Sequence, residues 1–512
     1  MLGQKDYTEK LFTNFRLSER VPQNNFYRRL KGVLDLNYLY KSTRLYYGRC
    51  GQKSIDPVVF FKLCLVGYLE NITSDRQLIE HCSMRMDILF FLGYGIDEEL
   101  PWHSTVSRTR QLFPADIFEG LFTRVFSLCA EKGMVAGHTQ ATDSAPIKAN
   151  ASMDSLELKV PAETLADHLM KVRHISEKDK KNLPCRKAKN NKAPEKQQQV
   201  TASREELNGI KARNKKWAND QDTRQGSGNP LAKYTSNKTH YSPTDPDARI
   251  SVKPGKARKL NYHGNICVDT AHHVITDACA YHADRVDSQN LQDIATRVKG
   301  RLNHEGFLFA NLLADAGYSS GENYAFLEQQ GITSYIPQHG TYKGGPDGFT
   351  FHKDGNYWEC TQGRKVTFHK QREVKGTLQD HYYTKRSDCK DCPLKAQCIG
   401  KSYEKKIAIT VYAEEYKRNN KRVKSKYGRL MKKKRQSTVE PVWGTLTQFM
   451  GLRKINTIGI GQANKAVQMA ACAYNLKKLV KFIKADMQIK AQSAQVFVKQ
   501  LFLAFSRPFA PL

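Results

Sequence analysis

A single stretch, residues 137–152 (GHTQATDSAPIKANAS), constrains the fold of this chain more than any other. It is typical of a short β-strand, because small and β-tolerant residues lead up to one carboxylate, Asp143. Successive strand residues point to opposite faces, so the strand would present Asp143 on one chosen face near its end. Pro146 predicts that the strand breaks there. An Asp followed by Ser and Pro is also typical of a turn cap, and the stretch alone leaves that alternative open.

A second acid follows an apolar run. Residues 307–313 predict a buried strand, and Asp315 lies at its carboxyl end. We then expect a helix at 322–330 and a second strand at 332–336. Active groups of α/β sheets gather outside the carboxyl ends of strands, which favours a functional role for Asp315. A simple cap of the next turn is the alternative.

A third acid, Glu440, belongs to a predicted helix with an apolar face. The spacing from Ser437 to Glu440 is that of a capping box, in which Glu440 would bond locally. That register places Pro441 at the fourth helical position, where its missing N–H would cost the first intrahelical bond. With Thr438 as the cap, Pro441 occupies a position in the first turn whose N–H would have no partner within the helix. We therefore predict a helix that starts near Thr438 and leaves Glu440 free to project.

Four segments, in this order, closely resemble bacterial insertion-sequence transposases of the DDE superfamily: TDSAPIKANAS, ADAGYSSGENYAFLEQQGI, TVEPVWGTL and AACAYNLKKL. The resemblance extends over nearly the whole chain. It implies an α/β fold with an RNase H-like mixed-sheet core, a helical N-terminal DNA-binding domain and a basic insert. It also implies that Asp143, Asp315 and Glu440 form a catalytic acidic triad.

The chain departs from this family in one respect. Related transposases often carry the signature Tyr-x2-Arg-x3-Glu-x6-Lys around the Glu. Here Thr447 stands where the signature has Lys, and the nearest preceding arginine, Arg435, is one residue out of register. The roles of the signature's basic residues therefore cannot be assigned directly to residues of this chain. The role of the signature's Glu can be assigned to Glu440.

The chemistry of three converging carboxylates calls for a cation. Close carboxylates repel one another by about 4 kcal/mol per pair at an effective dielectric constant near 20. A divalent ion removes that cost, and carboxylate oxygens suit Mg2+ or Mn2+. We expect the three acids to hold such ions for an in-line displacement. The resemblance implies cleavage at the ends of an insertion sequence and joining of the 3′-ends to target DNA.

Other functions stay open from the sequence. A catalytically inactive DNA-binding regulator derived from a transposase would not need acids at two strand ends and a helix start. A sequence-independent nuclease would share the chemistry of the enzyme. As partners of an active enzyme we expect double-stranded DNA, both element ends and target, and a second copy of the chain in a homodimer.

The charge of the chain points to a polyanionic partner. Its 512 residues carry a formal net charge of +32 with a pI near 9.6, which favours nucleic acid over a membrane. A solvated basic surface without a partner is the alternative. The longest apolar run, 58–69, is too short to span a bilayer, and the first residues lack the apolar segment of a signal peptide. We expect a cytoplasmic, nucleoid-associated protein.

Composition and the resemblance together divide the chain into six regions. They are a helical DNA-binding domain (1–132), the first part of the core (133–152), a basic insert (153–235), the rest of the core (236–345), a Cys-rich region (346–416) and a C-terminal region with the basic run, the Glu helix and the final helices (417–512).

The N-terminal region contains several helix-start signals, among them Asp56-Pro57 and a capping box that opens at Ser74. Short helices joined by tight turns suit a helix-turn-helix-like module. A helical bundle without DNA contacts fits the same periodicity, and the resemblance favours DNA binding. We predict that Arg108 and Arg110, on a later helix, contact DNA.

Two basic stretches are expected to follow a phosphate backbone. The first, 178–216, lies in the insert, and a solvated linker is its alternative. The second, 417–435, precedes the Glu helix and would bring positive charge to the active site. The DNA-binding residues predicted in it are Lys432, Lys433, Lys434 and Arg435.

The cysteines suggest a possible structural metal. Cys389, Cys392 and Cys398 cluster in a basic, turn-rich segment, and Cys360 could complete a four-thiolate Zn2+ site. Redox-inert thiols are the alternative, and we expect the remaining eight cysteines to be reduced core residues.

Two further segments complete the expected core. Residues 265–269 and 273–280 predict an antiparallel hairpin, and 464–483 predict a final amphipathic helix. The run Asp245-Pro246-Asp247-Ala248-Arg249 matches a motif of similar transposases, which we expect in a loop near the DNA. A local ion pair with Arg249 is the alternative.

Overall fold

A computed structural model describes residues 15–48, 54–158, 237, 240–251, 258–339, 345–374 and 377–505, with the backbone alone at 157–158 and beyond 485. The predicted basic insert, including 178–216, lies almost wholly outside the described residues. Within the described ranges, no helix is long and apolar enough to cross a membrane.

The N-terminal region is helical, as predicted. Its helices are α1 (Leu17–Arg20), α2 (Phe26–Val33), α3 (Tyr38–Thr43), α4 (Pro57–Leu69), α5 (Asp75–Ser83), α6 (Met86–Leu92), α7 (His103–Leu112) and α8 (Ala115–Glu131). Asp56 caps α4 by accepting from the N–H groups of Val58 and Val59, and Pro57 occupies the first helical position. Ser74 caps α5. Both predicted helix starts are therefore confirmed, because the caps satisfy N–H groups that the helix leaves unpaired.

A six-stranded mixed sheet forms the centre of the fold. Its strands are β1 (Thr139–Lys148), β4 (Arg249–Ser251), β5 (Lys259–Asp269), β6 (Ile275–His282), β7 (Asn311–Leu313) and β8 (Thr333–Tyr335); β2 (Glu157–Leu158) and β3 (His240–Tyr241) pair separately. Strand β1 is central, antiparallel to β5 and parallel to β7, while β5 pairs antiparallel with both β4 and β6 and β7 runs parallel to β8. This order is that of the RNase H-like core, which confirms the predicted fold class.

Strand β1 does not break at Pro146, so that prediction is wrong. Pro146 lies within the strand and pairs with His263 of β5. The N–H of Lys148 donates to Arg453 rather than to β5, so the nitrogen two residues earlier, that of Pro146, also faces away from β5. Strand β7 pairs only with the first three residues of β1. A proline at this open edge costs no ladder hydrogen bond.

The connections around β7 follow the sequence prediction closely. The β5–β6 hairpin, helix α9 (Asp287–His304), helix α10 (Gly321–Gln329) and β8 all form, with ends shifted by a few residues. Helix α9 packs on β6, and a 3-10 turn, Ala316–Tyr318, separates β7 from α10. Asp315 therefore lies just beyond the carboxyl end of β7, as predicted.

The helix that carries Glu440 begins earlier than predicted. After α13 (Ala413–Lys424), helix α14 runs over Lys426–Phe449 with Pro441 inside it. Its cap is Ser425, whereas the hydroxyl of Thr438 donates to the carbonyl of Lys434, as in a helix interior. Thr438 is therefore not the cap. The apolar side of the helix is buried against the core, and this packing outweighs the bond that Pro441 cannot make.

The last helix, α15 (Ile460–Phe505), is longer than predicted and packs on α4, α8 and β6. Its first turn is held by the motif predicted to lie near DNA. The buried carboxylate of Asp245 accepts from Gly459 N–H at 3.1 Å, and that of Asp247 accepts from Ile460 N–H at 3.0 Å. Arg249 pairs with Asp284 at 3.6 Å instead. The two acids thus stabilise a helix N-terminus.

The Cys-rich region forms a separate five-stranded sheet. Its elements are β9 (Phe349–His352), β10 (Tyr357–Cys360), β11 (Lys365–Val374), β12 (Thr377–Tyr383), α11 (Arg386–Lys390), α12 (Lys395–Cys398) and β13 (Lys406–Thr410). This sheet has its own small core around Trp358 and Tyr382. The main core is one continuous cluster from Tyr27 to Val480. The six predicted domain boundaries stay a prediction.

Candidate active site

The three predicted acids lie on or beside three different elements around the central sheet. Asp143 lies in the middle of β1, Asp315 follows the neighbouring parallel strand β7, and Glu440 lies in α14, which packs on β1. The Asp143 side chain is 19% exposed and that of Glu440 is 59% exposed. The site therefore combines a buried acid with one that has room to move.

Arg435 lies between two of these acids. Its Nη1 is 3.6 Å from Asp143 Oδ2, and its Nη2 is 3.8 Å from Glu440 Oε1. Both distances exceed hydrogen-bond length, so the guanidinium acts on the two carboxylates mainly through its charge. Nη1 is buried and makes no hydrogen bond within the described part of the chain. Arg435 was predicted to bind DNA, and the structure brings it to the acids.

Asp315 shares its surroundings with a carboxylate that the sequence did not predict. Asp315 Oδ1 accepts from the N–H of Gly317 at 2.9 Å. A Cβ on Gly317 would lie 3.1 Å from that oxygen and 2.9 Å from Oδ2 of Asp287. The two carboxylate oxygens are therefore within about 6 Å of each other, with only a glycine between them. A larger residue at Gly317 would separate them.

Asp287, the first residue of α9, is tied directly to the strand that carries Asp143. Its Oδ1 accepts from the hydroxyl of Ser144 at 2.6 Å and lies 3.4 Å from Nε2 of His263. Because Ser144 follows Asp143 in β1 and His263 lies in β5, Asp287 fixes α9 against the central strand pair. An acid at a helix start is typical of a cap, so no local signal distinguished Asp287 from the other acids.

Burial has the largest effect on the ionisation of Asp143. Burial raises the pKa of the Asp143 carboxyl to about 6, the charge of Arg435 lowers it, and the nearby charges of Asp315 and Asp287 raise it. Carboxylate oxygens are the donors that hard divalent cations prefer, so the chemistry of this set fits Mg2+ or Mn2+. Among the described residues, however, no three His, Cys, Asp or Glu side chains are gathered closely enough to hold an ion. Arg435 stands between Asp143 and Glu440 in this arrangement.

Comparison with protein families gives two matches. The family model described as Transposase domain (DUF772) matches residues 15–112, and the model described as Transposase DDE domain matches residues 359–480. These two parts of the chain are therefore similar to transposase domains, and together they cover less than half of its 512 residues. No curated protein matches the chain at a significant level. The second match contains Glu440, whereas Asp143 and Asp315 lie between the two matches.

The residues predicted to contact DNA fall into two groups. Arg110 is engaged internally, because its guanidinium donates to both carboxylate oxygens of Asp75, at 2.8 and 2.6 Å. A DNA contact by Arg110 would have to break this pair, and that contact stays a prediction. Arg108, Lys432 and Lys433 are exposed. Lys434 is half-buried, and these four stay predictions.

The cysteines predicted to bind zinc are not assembled in this protein. All four are half-buried and none forms a disulfide; they are Cys360, Cys389, Cys392 and Cys398. The Sγ atom of Cys389 lies 3.3 Å from the hydroxyl Oγ1 of Thr384. Within the described ranges, these thiols do not form a group close enough to hold a metal. Zinc therefore stays a prediction, which elemental analysis of the purified protein would test.

Proposed function

We propose that this chain is a transposase that catalyses metal-dependent DNA cleavage and strand transfer at the ends of an insertion sequence, with Asp143, Asp315 and Glu440 as its catalytic acids. One observation supports the proposal: Arg435 lies close to two acids that come from distant parts of the chain. The Arg435 guanidinium lies within 3.8 Å of both Asp143 and Glu440, and the charge of Asp315 acts on Asp143. A protein that only bound DNA would not need this arrangement.

The three acids would hold Mg2+ or Mn2+. Such ions, when bound, activate a water or a 3′-hydroxyl and stabilise the leaving oxygen. The residues of the chain prepare this chemistry in different ways. Asp143 is fixed on a central strand, and Asp315 is fixed by its bond to Gly317 N–H, whereas Glu440 is largely exposed. Fixed and mobile acids together allow DNA to enter before the site is complete.

Arg435 supplies positive charge to Asp143 and Glu440 when no cation is bound. Repulsion between close carboxylates costs about 4 kcal/mol per pair at an effective dielectric constant near 20, and a guanidinium between them offsets part of that cost. Arg435 therefore keeps the acids near one another in the protein without metal. The DNA contact that the sequence suggested for Arg435 stays a prediction beside this role.

We also propose double-stranded DNA, both element ends and target, as the partner, and a homodimer as the active complex. The net charge of +32 supports the DNA partner, because phosphate contacts supply most of the affinity in such complexes. The inactive-regulator alternative is not favoured, since all three acids are present in the sequence. A sequence-independent nuclease would use the same site.

A strand-transfer assay on DNA that carries the element's own ends separates these functions. With Mg2+ or Mn2+ we expect cleavage at the ends and joining of the 3′-ends to a target plasmid. Ca2+ should support binding without turnover, and a chelator should stop the reaction. Activity that persists in excess chelator contradicts the metal-dependent scheme, and cleavage of random DNA without joining indicates a nuclease.

A further inference from the structure

An open groove beside the active site is lined by several distant parts of the chain, three of which are in backbone contact. It has a volume of about 1340 Å³, which is room for a polymer rather than a single ion. The turn after α4 contributes Asn71 and Thr73, the end of β1 contributes Lys148, and the loop after α14 contributes Arg453 and Lys454. Lys259 of β5 completes the basic lining.

Backbone contacts hold these three parts together. Lys148 and Lys454 form a parallel bridge, in which Ile455 N–H donates to the carbonyl of Lys148 at 2.9 Å. Gly451 N–H donates to Asn71 Oδ1 at 2.7 Å, which joins the same loop to the N-terminal region. The positions of the basic side chains around the groove are therefore set by the fold before any ligand binds.

The charge in the groove is uncompensated. The side chains of Lys148, Lys259, Arg453 and Lys454 are exposed, and within the described part of the chain none of them forms a salt bridge. Among the described residues, the groove lining contains no Asp or Glu. Arg418, by contrast, is paired with Glu328 at 2.6 Å. Four unpaired cations facing one polar groove form a complementary surface for a chain of phosphates.

The groove adjoins a second cavity beside the active site. Lys148 lies five residues after Asp143 on the same strand, which corresponds to about 17 Å along the strand at the usual rise per residue, and side chains five residues apart point to opposite faces of the sheet. Pro146 and Ser251 line both the groove and the neighbouring cavity that contains Asp287 and Gly317. Phosphates on one strand of B-form DNA advance about 3.4 Å each along the axis, so this distance corresponds to about five nucleotides.

We propose that this groove holds the sugar-phosphate backbone of the DNA strand about five nucleotides from the phosphate that is cut. Lys148 and Lys454 contact the phosphates there, and Lys259 and Arg453 flank them. The proposal rests on the proposed function, since it places the substrate of the same site. An acidic protein segment would also suit the charge, but the groove shares Pro146 and Ser251 with the cavity of Asp287 and Gly317 beside the proposed site, which favours the nucleic-acid strand.

The test compares the double variant Lys148→Gln/Lys454→Gln with Lys132→Gln/Lys481→Gln. Lys132 and Lys481 are exposed and lie near the opposite end of β1: Lys132 precedes that strand, and Phe482 beside Lys481 contacts His272 in the β5–β6 turn. Binding to element-end DNA is measured in Ca2+ at several salt concentrations. The groove variant should flatten the slope of log K against log salt by about two units, at about 0.9 per phosphate, while the control leaves it unchanged.

A second set of binding measurements identifies which phosphates contact the groove. A series of DNA ends each carries one neutral methylphosphonate at a different position. We expect the substitution about five nucleotides from the cleavage site to weaken wild-type binding and to have no further effect on the groove variant. Equal slopes for both variants, or additive effects at every position, would overturn the groove assignment. Because this readout is binding alone, wild-type protein that binds DNA but never cuts it in Mg2+ refutes the proposed function separately.

Discussion

At the scale of single residues, the burial of Asp143 has a measurable consequence for stability. Its pKa is raised from 3.8 to about 6, mainly by burial, so the folded state holds the proton more tightly than the unfolded state. The stability contributed by this group is therefore fully present below about pH 4 and is lost as the pH rises towards 6. The charged carboxyl that remains above pH 6 is a cost to the fold.

Asp143→Asn removes that cost. Without divalent cations we expect the variant to exceed wild type in free energy of unfolding above pH 6, by on the order of 1–3 kcal/mol. The difference should vanish near pH 4. Urea denaturation in chelator at both pH values measures it. A difference that does not change with pH would show that the carboxyl is not the group responsible.

Asp287 provides a second prediction, because it acts through Ser144. Ser144→Ala and Asp287→Ala should each slow DNA cleavage by roughly 10- to 100-fold, the range for a lost hydrogen bond to a charged group. The double variant should be no slower than either single variant, because both remove one interaction. Asp287→Asn keeps an acceptor for the Ser144 hydroxyl and should restore much of the rate. Additive losses, or an inactive Asn variant, would mean that Asp287 acts by its charge.

Sequence patterns predicted the positions of the three acids better than the positions of Asp287 and Arg435 beside them. Asp143 and Asp315 follow strand patterns that are local, and both acids lie on or beside the strands predicted for them. Asp287 reaches β1 only because the β5–β6 hairpin returns α9 to the sheet, and no local pattern encodes that path. Arg435 is one residue out of register with the arginine of the family signature. Its guanidinium nevertheless lies close to Asp143, because α14 packs directly on β1.

At the scale of secondary-structure elements, both prolines near the acids were predicted to end or begin an element, and neither does. Pro146 stays within β1 because its nitrogen faces an edge that β7 leaves open. Pro441 stays within α14 because the buried side of that helix is held by the core. Whether a proline ends a strand or helix depends on the hydrogen bond that the backbone N–H at that position would otherwise donate. The acceptor of that bond is known only from the tertiary structure.

Helix α14 also carries a prediction about DNA affinity. Lys432 and Lys433 are exposed on the helix that holds Glu440. Replacing Lys432, Lys433 and Lys434 with Gln should flatten the salt dependence of DNA binding by roughly two to three units if all three contact phosphates. Binding to element ends and to random DNA should weaken alike, because phosphate contacts carry no sequence information. Salt titrations on both DNAs measure this, and an unchanged slope would place the DNA path elsewhere.

At the scale of the whole molecule, composition predicted the class of partner but not the architecture that serves it. The charge of +32 indicated nucleic acid, yet the groove forms where segments separated by hundreds of residues meet. The N-terminal helices share one continuous core with the catalytic sheet and α15. Local periodicity predicted the helices of that region, whereas their packing onto α15 depends on contacts across most of the chain.

The central claim is that Asp143, Asp315 and Glu440 carry out the cleavage. The most direct measurement is the single-turnover cleavage rate of element-end DNA in Mg2+, beside the dissociation constant in Ca2+. Asp315→Asn and Glu440→Gln should each lower the rate a hundredfold or more, since metal-bound charge stabilisation is worth several kcal/mol, with binding nearly unchanged. Glu131→Gln is the matched control, because Glu131 is 52% exposed. Cleavage at the wild-type rate by either variant, or loss of binding in step with cleavage, would contradict the claim.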